Sequence, residues 1–98
     1  MATGLRPSLA EAERALLVGI ISPGRETEGF DSLAELARLA ETAGAVVAGV
    51  LVQRLPRPDP RCFLGPGKAR ELAERVVQEN AALVVCDGEL TPLQARQL

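Results

Sequence analysis

Residues 15–21, Ala-Leu-Leu-Val-Gly-Ile-Ile, carry no polar side chain. A strand with one face in water alternates apolar and polar positions. An unbroken run of this length reads instead as a strand covered on both faces, the central position of a parallel sheet flanked by helices. The residues that follow keep to that plan. Leu33, Leu36, Ala37, Ala40 and Ala43 fall at helical spacing, with Ser32 and Glu35 as a capping box at the start and Gly44 as terminator. A second apolar strand is expected over 45–52 and a short third one over 62–64. A second helix is expected from Pro66-Gly67, with Ala69, Leu72, Ala73, Val76 and Val77 on one face, Glu71 and Arg75 as an i,i+4 pair and Asn80 at its end. A fourth strand over 82–86 and a helix opening at Thr91-Pro92-x-Gln94 complete the series.

The expected fold is therefore α/β, in the order β-α-β-β-α-β, with a four-stranded, mainly parallel sheet flanked by helices. At 98 residues the chain is one domain. Residues 1–13 read as a loose tail, 14–90 as the α/β domain and 91–98 as the start of a helix cut short. The direction of the third strand stays open. Pro56, Pro58 and Pro60 alternate between strands two and three, which excludes helix and makes a poor central strand. If the third strand is parallel, the loops at 22–30, 53–54, 65–68 and 87–89 share the carboxyl edge of the sheet, where open α/β sheets bind ligands. If it is antiparallel, 65–68 moves to the other edge.

The stretch Arg57-Pro58-Asp59-Pro60-Arg61-Cys62-Phe63-Leu64-Gly65-Pro66-Gly67-Lys68 carries the chemistry. It is not a Walker loop: Ala69 stands where the metal-binding hydroxyl belongs, Cys62 where the first glycine belongs, and Pro66 lacks an N–H. Arg70 breaks Gly-x-Gly-x-x-Gly. What remains at Gly65, Gly67 and Lys68 is a candidate anion loop at a helix start, or two glycines that serve a tight turn. Around it the charge is lopsided: Arg54, Arg57, Arg61, Lys68 and Arg70 face only Asp59 within 53–70, whereas the whole chain has net charge −2. A local basic patch suits contacts to phosphates; a solvated Arg-rich loop is the plainer alternative.

Two blocks resemble a known family. Arg-Pro-Asp-Pro, a short strand and Gly-x-Gly-Lys at 57–68 is one. Leu83-Val84-Val85-Cys86-Asp87-Gly88-Glu89-Leu90-Thr91-Pro92-Leu93-Gln94-Ala95-Arg96-Gln97-Leu98 is the other. With the strand, helix and Glu41-Thr42-Ala43-Gly44-Ala45 before them, they resemble the N-terminal domain of the HflX family of ribosome-associated GTPases, from about residue 14 to residue 98. Gly88 stands where that family usually has a second acid, Pro66 where Lys is frequent, Cys62 and Phe63 where Thr and Tyr are commoner, and Gln97 where Asn is usual. The resemblance implies docking on the rRNA of the large ribosomal subunit and control of a GTPase domain in cis. GTP and Mg²⁺ would belong to that domain, which these residues do not include. It implies a cytoplasmic protein.

The remaining composition narrows the function classes. Two Phe with no Trp or Tyr leave little for base stacking. With no His, Ser-His and Cys-His catalysis within the chain is excluded, and Cys62 and Cys86 lack zinc-ligand spacing and read as buried thiols. Asp87 and Glu89 could hold Mg²⁺ beside a phosphate, although acids are common in turns. No apolar run is long enough to span a bilayer, and none follows a cationic start as in a signal peptide. The expectation is a binding domain rather than an enzyme, without a cofactor of its own. The alternatives are a small nucleotide-binding module, with phosphate at Gly65–Lys68, and a structural or partner-binding domain whose exposed apolar surface packs against the family's helical hairpin or against a second copy as a weak homodimer.

Overall fold

The computed structural model describes residues 13–60 and 63–88. Along them run β1 (Arg14–Ile21), α1 (Glu26–Thr42), β2 (Val46–Arg54), α2 (Pro66–Gln78) and β3 (Leu83–Cys86). The strands form one parallel sheet in the order β2-β1-β3. β1 is the middle strand, and its Ala15, Leu16, Leu17 and Val18 are wholly buried, as the unbroken apolar run requires.

Strand order decides where the helices lie. The step from β1 to β2 and the step from β2 past β1 to β3 run in opposite directions, and parallel crossovers share one hand. The two helices therefore cover opposite faces. Alternation along β1 bears this out. Leu16 and Val18 pack with Leu51, Phe63, Leu64 and Leu72 under α2. Gly19 and Ile21 point to α1, where a Cβ on Gly19 would stand 2.7 Å from Leu33 Cδ1 and one on Gly29 would stand 2.7 Å from Ile21 Cγ1. Pairing between β1 and β2 slips by one residue, Ala15 facing Val47 and Leu16 facing Gly49. Gly49 lies under the Arg75 guanidinium, which takes the space of a side chain there.

The sheet has three strands among the described residues, not four. Phe63, expected in a strand over 62–64, instead exchanges both backbone hydrogen bonds with Asp59, each 2.9 Å, in an isolated antiparallel bridge. Its φ of 70° is left-handed and cannot continue a strand, and the prolines before it lack ladder donors. The apolar signal at this place has another cause: Phe63 and Leu64 are buried under α2 as side chains. Cys62, the tail at 1–12 and the helix expected over 91–98 lie outside the described residues.

α1 starts at Glu26, six residues before the expected capping box at Ser32. Ser22-Pro23-Gly24-Arg25 closes a turn through Arg25 N–H on Ser22 O (3.0 Å), with Gly24 at φ 87°, the pattern of a Pro-Gly type II turn. Glu26 and Glu28 then lie in the first helical turn, where the helix dipole favours acids. Ser32 is an interior residue of α1, and Glu35 pairs with Arg38. Both helices end in the same way. After α1, Gly44 N–H bonds Glu41 O and Ala45 N–H bonds Ala40 O, with Gly44 at φ 99°. After α2, Asn80 N–H bonds Val77 O and Ala81 N–H bonds Val76 O, with Asn80 at φ 52°. Each is a Schellman motif with Gly or Asn in the left-handed position. On α2, Leu72 is buried and Ala69 and Val76 pack on the core, but Val77 is 80% exposed. Glu71 pairs with Lys68 at 3.2 Å, and Arg75 is drawn instead to the sheet at Gly49.

Candidate functional site

Three parallel strands bring Ile21, Arg54 and Cys86 to one edge of the sheet. The loops beyond them are tied together. Leu55 N–H bonds Ile21 O at 3.2 Å, and the Ser22 hydroxyl donates to Pro56 O at 3.2 Å. Gly65 N–H donates to Gln53 Oε1 at 2.8 Å. The Phe63 ring lies 3.6 Å from where a Gly88 Cβ would be, and Asp87 N–H bonds Val18 O at 2.8 Å. The loops at 22–25, 53–57, 65–68 and 87–88 thus share the carboxyl edge. This is the arrangement expected for a parallel third strand, reached with a buried loop in its place.

The start of α2 is set by this edge. Gly65 is its N-cap and Pro66 opens the helix, where a missing N–H is harmless. Ala69 N–H makes the first helical bond, to Gly65 O at 2.9 Å. The N–H groups of Gly67 and Lys68 are first-turn donors, which have no acceptor within a helix. The two glycines differ in origin. A Cβ on Gly65 would stand 2.9 Å from Gln53 Nε2, so a side chain there would push the Gln53 amide aside from its bond to the Gly65 N–H. A Cβ on Gly67 would meet nothing within 4 Å, and its φ is not left-handed. The fold makes no demand for glycine at 67.

The candidate cations among the described residues do not form one cluster. Arg54 and Arg57 are exposed at this edge, and Arg54 Nε lies 3.7 Å from Glu26 Oε2. Lys68 stands on the first turn of α2 with its Nζ 3.2 Å from Glu71 Oε1. Arg70 lines a surface hollow along α2 with Ala73, Glu74, Val77 and Gln78, apart from the loops. Arg61 lies outside the described residues, as does Glu89, the partner expected for Asp87. No group of three or more metal-binding side chains occurs among the described residues, and no helix among them is long and apolar enough to cross a membrane.

Two edge residues escape a reading of the sequence for functional parts. Gln53 is visible there as a polar residue at an inward position of an apolar strand, a pattern that calls for a buried partner. Glu26 reads only as a loop acid. Its carboxylate is held below the usual range, first by its own backbone N–H and that of Gly24, then by Arg54. Away from the loops, Leu36, Leu39, Ala40, Ala43, Leu83 and Val85 line an apolar hollow of about 520 Å³ at the amino edge of the sheet.

Residues 30–98 match the family described as GTP-binding GTPase N-terminal. The chain is 39% identical over 90 residues to GTPase HflX of Lacrimispora saccharolytica, covering 92% of this chain and 21% of the relative. It is 41% identical over 88 residues to GTPase HflX of Caldanaerobacter subterraneus, 90% of this chain and 20% of the relative. GTPase HflX of Escherichia coli is 35% identical over 86 residues, 88% of this chain and 20% of the relative. The chain spans about a fifth of the length of these relatives.

Proposed function

Because this chain belongs to the HflX family of GTPases and corresponds to its N-terminal region, we propose that it is a docking and regulatory domain that contacts rRNA of the large ribosomal subunit through the carboxyl edge of its sheet. The observation that carries this reading is the mounting of the basic loop. Arg54 and Arg57 are exposed on a segment fastened to β1 through Leu55 and Ser22 and closed by the paired Asp59 and Phe63. Cations on a fastened loop meet phosphates with little ordering cost. Lys68, on the first turn of α2, is a further candidate, as is Arg61 by its place in the sequence; Arg70 belongs to the flank of α2 and contributes less. GTP and Mg²⁺ are assigned to the part of HflX proteins outside this chain, since no Gly-x-x-x-x-Gly-Lys-[Ser/Thr] occurs in it, and the edge would pass the docked state to that part. The setting implied is the cytoplasm.

The test is binding to purified large subunits over a salt series. Arg54→Glu with Arg57→Glu is expected to weaken binding about tenfold or more. It should also flatten the dependence of log K on log salt by about one for each phosphate no longer neutralised. Unchanged affinity and slope would reduce the loop to a connector. A second reading, nucleotide phosphate at the start of α2, is favoured by one observation: glycine at 67 leaves the first turn open without serving the fold. Titration with GTP and ATP decides it. Heat that disappears in Lys68→Ala supports this reading, and no heat at millimolar nucleotide removes it.

A further inference from the structure

We infer that Glu26 is a built-in competitor for the phosphate that Arg54 would bind: its carboxylate engages the guanidinium from within the chain and must be displaced when RNA docks. The inference rests on the docking role proposed above. Glu26 Oε2 lies 3.7 Å from Arg54 Nε and also accepts Gly24 N–H at 3.2 Å. That second bond matters, because it anchors the acid to the backbone of the turn at 22–25 instead of leaving it to swing into solvent. The same turn is fastened to the basic loop, Ser22 Oγ donating to Pro56 O at 3.2 Å, next to Arg57. To a guanidinium, carboxylate and phosphate oxygens are equivalent acceptors.

The strength of the pair suits a competitor. The side chain of Arg54 is 62% exposed and that of Glu26 41%, and surface pairs of this kind are weak. A buried pair would be harder to displace, and an acid free to swing into solvent would hold Arg54 for less of the time. The Lys68–Glu71 pair is different in kind, a one-turn contact along a single helix.

Purified large subunits and the whole chain serve for the test, with salt varied. Glu26→Gln is expected to bind about two- to fivefold tighter than the wild type, with a salt slope close to the wild type's, since Arg54 meets phosphate in both docked states. In an Arg54→Ala background the same substitution is expected to change nothing. Glu35→Gln, which removes the same charge from an acid paired with Arg38 on α1, is expected to leave affinity near the wild type. The inference is overturned if Glu26→Gln gives no gain, if the gain survives without Arg54, or if Glu35→Gln matches it. Wild-type chain that fails to bind subunits would remove the docking role and the inference together. Binding that depends on Arg57 but ignores Glu26 would remove the inference alone.

Discussion

Gly44 and Gly67 both lie at helix ends, and a Cβ would meet nothing within 4 Å of either. They differ in φ alone: Gly44 is at 99°, and Gly67 has no left-handed φ. Gly44→Ala is therefore expected to destabilise by about 1 kcal/mol through the backbone, while Gly67→Ala stabilises by about 0.4–1 kcal/mol by restricting the unfolded chain. Urea midpoints of the two variants make the comparison. Two titrating residues give pH predictions of opposite sign. Glu26 has its folded pKa lowered, so its contribution is complete above the ordinary range near ~4.3 and is lost as pH falls through the folded value. Between pH 6 and 3 the urea midpoint of Glu26→Gln should fall less than that of the wild type. Burial raises the Cys86 thiol. Its contribution is complete below the unfolded value of about 8.5 and declines as pH rises from there toward the folded value. In a Cys62→Ser background, iodoacetamide should label Cys86 more slowly in native than in urea-unfolded protein near that pH.

At the scale of elements, the start of α2 depends on β2. No side chain caps α2 at its own N-terminus, and the N-cap N–H is instead taken by Gln53 on the neighbouring strand. Gln53→Ala leaves that partly buried donor without its acceptor, an expected loss of about 1–2 kcal/mol. Amide exchange should accelerate at Gly65 well before the end of α2 responds. That end has its own support: Arg14 Nε donates to Glu79 O at 2.6 Å, and its Nη2 lies 3.2 Å from Glu79 Oε1. A cation at a helix C-terminus also opposes the negative end of the dipole. β1 and α2 are thus joined at both edges of the sheet, once directly and once through β2.

For the molecule as a whole, the reversal of strand order at β1 sets the plan. One helix covers each face, and the carboxyl ends of β1, β2 and β3 carry every loop of the candidate site. Phe63 joins these loops to the core, 1% exposed and against Gly88 at the end of β3. Phe63→Ala is expected to lose about 3 kcal/mol or more, read as a lower urea midpoint. Under the docking role proposed above, loosening of this joint is also expected to weaken subunit binding through Arg57, although Phe63 itself is buried.

The central strand, both helix terminators, the Pro66 helix start and the α/β class are legible in the residues, because each depends on local chemistry: an apolar run, a residue tolerant of positive φ, a missing N–H. The same holds for the family, whose two motifs lie in continuous stretches. The start of α1 is misplaced by sequence for a physical reason. Ser32 and Glu35 satisfy the capping pattern, but the turn at 22–25 and the acids after it begin the helix earlier. The third strand is misleading because burial of Phe63 and Leu64 looks the same in sequence whether a residue pairs in a sheet or fills space beneath a helix. Strand order, the helix faces and the meeting of Glu26 with Arg54 depend on which parts of the chain pass through the same space. Contacts between residues so far apart in sequence leave no mark on either one alone, and packing around β1 is what creates them.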